Sequence, residues 1–248
     1  MLDGEFLLPL GLNGSDAMMG PALLWAMIVG MGLYQGLNPP MGWLPALARG
    51  LETGRTAPLI QRAAAIALGH YAAMLALLVP LAAGFAMLLP DPSPALAASG
   101  VLLLGFGLFK LWRPQHPRFI ARIPPRQPVR WSFWMSATHC GSPLMMLSAL
   151  INLIWLEPVY YGLRFGPGLR LSHDLGLAVL LAAGMTVPLL VTASGVALLL
   201  HRTLGLRLIG RLWFNLDLGW SLAFIAMGVM ALAMGDPRLM AYCRSHLG

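Results

Sequence analysis

Residues 113–130 read RPQHPRFIARIPPRQPVR. The stretch carries Arg113, Arg118, Arg122, Arg126 and Arg130 and no acid, and apolar sequence lies on both sides of it. It is too short to be a domain and too rich in proline to continue a helix. It reads as a loop joining two hydrophobic segments. A short loop rich in Lys and Arg stays on the cytoplasmic side of a membrane. This one loop therefore orients the segments around it.

Working outward, the chain divides into six apolar stretches, each near the length of about 20 residues that a spanning helix needs. The first runs from Met19 to Leu37 and, after a break, on to Leu51. The others run from Ala63 to Leu89, Leu96 to Trp112, Trp131 to Leu156, Leu175 to Leu200 and Leu208 to Met234. Twelve of the sixteen Lys and Arg fall in alternate connections. The first holds Arg49, Arg55 and Arg62, the third adds Lys110 to the five above, and the fifth holds Arg202, Arg207 and Arg211. The opposite side has Arg164, Arg170, Arg238 and Arg244. Both termini are then expected outside. The acids follow suit, with Asp91, Glu157 and Asp174 among those placed on the outer side.

Composition agrees. The chain of 248 residues is 58% hydrophobic and 10% charged, with mean hydropathy +0.73. Soluble domains carry about 25% charged residues, so lipid is the expected outer solvent. The net charge of +7 sits in short loops between apolar runs, which suits an anionic membrane surface and not a nucleic acid. Cys140 and Cys243 suggest no disulfide framework. The N-terminal region carries Asp3, Glu5 and Asp16 but no Lys or Arg, so no signal peptide is read there. A single transmembrane domain over 1–248 is expected, in the cytoplasmic membrane of a bacterium.

The two halves, about 19–112 and 131–234, resemble each other. An offset of 103 residues pairs Pro40 with Pro143, Leu44 with Leu147, Leu47 with Leu150 and His70 with His173. Each half opens on an interrupted helix: Gly36-Leu37-Asn38-Pro39-Pro40 in the first, His139-Cys140-Gly141-Ser142-Pro143 in the fourth span. Three spans per half make the halves antiparallel. The expected fold is all-α, with six transmembrane helices in two inverted three-helix repeats and the first and fourth helices broken at proline. Matched broken helices mark the binding site in many secondary transporters. Proline removes the bond to the carbonyl four residues back, which exposes the carbonyls of Gln35, Gly36 and His139. Such carbonyls persist at membrane depth where protein or a wet cavity satisfies them.

The candidate solute- or ion-binding residues are therefore Gln35, Gly36, Asn38, Pro39, Pro40, His139, Cys140 and Ser142, with Asn215 and Asp217 from the sixth span. A carboxylate within a span costs at least ~2.5–3.5 kcal/mol and is normally functional, so Asp217 is the expected coupling or cargo-binding group. A salt bridge to Arg207 or Arg211 is the alternative. His139 and Cys140 are the ligands if a metal binds, and a metal ion would then be cargo; no cofactor is expected. His70 and His173 read as interfacial or helix-end groups. Pro80 and Pro188 read as simple kinks. Gly32 and Gly36 have the small-xxx-small spacing of close helix packing. No phosphate loop, serine elbow or zinc-protease motif is present. An enzyme is not expected, apart from a thiol reading centred on Cys140.

The Gly36–Pro40 break, the six-span layout and Leu68-Gly69-His70 after a basic loop resemble the LysE superfamily. That group includes amino-acid exporters, nickel/cobalt exporters and CcdA-type thiol carriers. The His-rich signatures of the metal exporters are missing. CcdA-type carriers need a cysteine in each half, and the counterpart of Cys140 is Leu37. The resemblance implies a secondary transporter of a small solute or ion, embedded in a lipid bilayer as a single chain or a homo-oligomer. The alternatives are a membrane thiol or redox protein and a non-transporting assembly partner.

Overall fold

The structure is a computed structural model that describes residues 14–39, 42–88, 93–112, 126–160, 167–203 and 216–235. It is almost entirely helical. In chain order the elements are α1 (Gly14–Leu37), α2 (Leu44–Thr53), α3 (Thr56–Leu88), α4 (Ser93–Trp112), α5 (Pro128–Trp134), a π-helical turn (Met135–Cys140), α6 (Ser142–Tyr160), α7 (Pro167–Thr203) and α8 (Leu216–Gly235). Among the described residues, three helices are long and apolar enough to cross a membrane: Thr56–Phe85, Pro94–Trp112 and Gly168–Thr203. Pro128–Thr138 and Ser142–Ile154, bent by 63° at their junction, form a fourth if taken as one broken span. The apolar part of α1, Pro21–Leu37, is shorter. Leu23, Val101, Leu180 and Val191 are large apolar residues left exposed on these helices. A helix apolar on all sides suits a lipid surround.

Four stretches close into an inner ring. α1 lies along α7, α7 along α3, α3 against α5, the π turn and α6, and α6 returns to α1. α4 and α8 pack together, with α4 also against α6, while α2 covers α3 and α7. The core inside this ring includes Ile28, Met74, Leu78, Met145, Leu150, Leu181 and Met185.

The α1–α7 contact is close because α1 presents glycine to it. A β-carbon on Gly36 would lie 2.7 Å from the carbonyl oxygen of Leu189, and one on Gly32 would strike that of Met185. The small-xxx-small expectation holds for this pair. Gly30 faces open space and plays no part in the contact.

One reading of the sequence needs correcting and two are refined. His70 is not interfacial: α3 begins at Thr56, ahead of the expected Ala63, and His70 is fully buried well inside it. Asp174, read as lying just ahead of the fifth span, is within α7 and buried, 3.1 Å from His173 Nδ1 and 3.9 Å from Arg170 Nε. Lys110, grouped with the basic loop, is buried in the last turn of α4.

Candidate functional site

The first break is a folded corner and not a bare gap. α1 ends at Leu37, and the chain turns before α2 starts at Leu44. Pro39 cannot donate, yet the carbonyls around it are engaged. Asn38 N donates to Gln35 O at 3.1 Å, Gly42 N to Asn38 O at 2.8 Å, and Leu44 N to Pro39 O at 3.0 Å. The Trp43 indole donates to Leu37 O at 2.9 Å. The expectation that Pro39 leaves the Gln35 carbonyl exposed is therefore corrected: the last turn of α1 tightens so that the Asn38 amide bonds three residues back to it. Pro40 lies outside the described residues.

The second break differs in mechanism. The chain widens into the π turn at Met135–Cys140, then changes direction at Gly141, whose φ of 58° is left-handed. Glycine reaches that region without steric cost. It is also the residue that fits, because a β-carbon there would lie 2.6 Å from the Phe106 ring and 2.8 Å from the Phe224 ring. Those two rings stack edge to face at 4.9 Å. Pro143 stands in the first turn of α6, where its missing N–H would have no partner in the helix anyway. The break is thus made by the π turn and Gly141. The expectation that Pro143 frees the His139 carbonyl is corrected accordingly.

The two breaks meet. Gln35, one turn before the first corner, donates from Nε2 to Ser142 Oγ, at the start of α6, over 2.8 Å. Both side chains are fully buried. Gln35 Oε1 has no hydrogen-bond partner. Asn38 is buried beside them in the chain turn. Gly36 contributes only its lack of a side chain, against Leu189 and Thr192 of α7. The structure therefore brings together Gln35, Gly36, Asn38, Pro39 and Ser142. The side chains of His139, Cys140 and Asp217, and all of Asn215, lie outside the described residues; Asp217 is placed near the start of α8 by its backbone.

A second polar pair escaped the sequence reading. His70 Nδ1 lies 3.0 Å from Thr186 Oγ1, joining α3 to α7, and His70 Nε2 is buried without a partner. Thr186 sits between Met185, which meets Gly32, and Leu189, which meets Gly36. It therefore lies within about one turn, roughly 5.4 Å, of the level of Gln35. Ser136 of the π turn, which packs on α3, adds a buried hydroxyl with no bond. Had the third helix been started at Thr56, a histidine so far inside an apolar run would have signalled burial.

Next to these pairs lies a cavity of about 300 Å³ between α1, α6 and α8. Met27, Met31, Met146 and Met227 are among its walls, with Ser148 and Asn152 as its polar side chains. Those two are tied to their own helix: Ser148 Oγ donates to Met145 O at 3.1 Å, and Asn152 Nδ2 to Ser148 O at 2.8 Å. Among the described residues no group of three or more His, Cys, Asp or Glu could hold a metal ion.

No protein-family model, curated protein or solved structure matches the chain.

Proposed function

We propose that this chain is a secondary transporter of the cytoplasmic membrane that moves a small solute by alternating access between two inverted halves. Six spans, cytoplasmic basic loops, outer termini and the LysE-like plan belong to this reading. Its main support is the Gln35–Ser142 hydrogen bond, which joins the two interrupted helices and leaves Gln35 Oε1 buried and unpaired. An unsatisfied buried acceptor costs about 1–3 kcal/mol. A group that is bonded only when cargo arrives gives that cost a use.

The helix pairings add support. If the halves correspond, the broken span α1–α2 corresponds to the broken span α5–α6, and α3 to α7. The two buried polar pairs then each link a span to its counterpart: Gln35 of the first broken span to Ser142 of the second, and His70 of α3 to Thr186 of α7. α1 also lies on α7 as α5 lies on α3. Polar groups meeting between counterpart spans sit where the halves must slide or rock. Asp217 supplies the coupling carboxylate in this scheme.

The test compares cells making the wild-type chain with cells making Gln35→Ala or Asp217→Asn at equal membrane abundance. Small organic solutes and ions are measured inside and outside the cells. A wild-type-dependent change in at least one solute should vanish in both variants. Unchanged flux in Asp217→Asn removes the coupling role, and unchanged flux in Gln35→Ala removes the site.

A further inference from the structure

The cavity between α1, α6 and α8 is placed by register against the Gln35–Ser142 bond. Met31 stands four residues before Gln35 on α1, and Met146 four residues after Ser142 on α6. Residues four apart share one helix face. The wall of the cavity thus reaches to within one turn, about 5.4 Å, of the bond on both helices. On α1 the lining residues Leu24, Ile28 and Met31 follow one stripe, and on α8 they include Ala223, Met227 and Ala231.

We propose that this cavity is the chamber in which the cargo waits, that the Gln35–Ser142 bond is the gate at its inner end, and that the cargo is an uncharged organic molecule with an apolar body and one hydrogen-bonding head. The assignment rests on the transporter reading and adds the substrate class to it. The size of the chamber carries the first part: about 300 Å³ is the lower end of small-molecule pockets and far more than a bare ion fills. The walls carry the second: among the described residues no charged side chain lines them, and an unpaired ion in such a setting is strongly disfavoured. Methionine carries the third, because its unbranched thioether adapts to apolar ligands of varied shape. The gate supplies the head-group partner. Gln35 Oε1 is an unused acceptor, and Ser142 is released as a partner once Gln35 turns to the cargo.

The experiment uses the full chain in lipid nanodiscs with ¹³C-labelled methionine methyls. The resonances of Met27, Met31, Met146 and Met227 are identified by single Met→Leu changes. The probe is benzyl alcohol, compared with glycine and with silver ion. The expected result is a saturable shift of these methyls with benzyl alcohol, reduced at least five-fold in Ala149→Leu, which fills the chamber. Ala223→Leu fills it from α8 and serves the same purpose if the first variant does not fold. Shifts with silver or glycine in place of benzyl alcohol, shifts that survive both fillings, or no shift at all would each overturn the assignment. The readout needs no transport. Loss of the shifts while flux still depends on Gln35 sinks the chamber alone, and intact shifts with flux indifferent to Gln35 sink the transporter reading.

Discussion

The amide of Gln35 and the hydroxyl of Ser142, 107 positions apart in the chain, are hydrogen-bonded at 2.8 Å where two interrupted helices meet. One partner closes α1 and the other opens α6, so the bond couples the two corners of the fold. Removing one partner should cost more than removing both, because the survivor stays buried without a bond. A double-mutant cycle of Gln35→Leu and Ser142→Ala, read by unfolding in bicelles, should give a coupling energy of about 0.6–1.7 kcal/mol, the range for hydrogen bonds between membrane helices. Strict additivity would mean that the pair contributes nothing to holding the breaks together.

Gly36 is a tight point of α1. A larger residue there must push against Leu189 and Thr192. Gly36→Leu should lower the yield of folded, monodisperse protein severely, since overpacking costs about 1–3 kcal/mol or more. Gly30→Ala, with nothing within 4 Å of the added carbon, should leave yield and thermal midpoint unchanged. Equal behaviour of the two variants would show that α1 does not lie on α7 as described.

Gly141 combines a left-handed backbone with contact to two rings. Gly141→Ala should destabilise by more than the roughly 1 kcal/mol expected from backbone strain alone. Pairing it with Phe106→Leu should recover part of the loss. Thermal unfolding of the three variants measures this. No recovery would separate the rings from the corner.

His70 and Thr186 offer a test of the second polar pair. Thr186→Val leaves the imidazole fully buried with neither nitrogen bonded, at a cost of about 1–3 kcal/mol. Adding His70→Phe should restore much of the stability, because an aromatic ring of similar shape needs no partner. The thermal midpoints of the single and double variants provide the check.

Much of the fold was legible because lipid simplifies the pattern. Apolar length marks α3, α4 and α7 directly. The Gly36–Pro40 and Gly141–Pro143 interruptions were readable as breaks because glycine and proline change what the backbone can do. Their internal chemistry was not readable. Whether the Gln35 carbonyl is bare depends on whether the last turn tightens to bring the Asn38 amide to it, and the π turn before Gly141 has no sequence signature of its own. Gln35 and Ser142 were named from position, but their mutual bond is a tertiary fact. His70 reads as interfacial only if the helix starts at Ala63; its start at Thr56 buries it, since only a few residues separate an interfacial histidine from a buried one. Thr186 carried no signal, because a threonine in an apolar helix normally bonds to its own backbone.

Alternating access makes one demand that requires no knowledge of cargo: the chamber must open and close. Spin labels at Leu23 on α1 and Val229 on α8, both exposed positions on helices that border it, report its width. With Cys140 and Cys243 replaced by serine, pulsed electron–electron resonance in nanodiscs should show two distance populations, whose ratio shifts in Gln35→Ala as the gate is lost. A single narrow distance, unchanged by Gln35→Ala, would contradict the account.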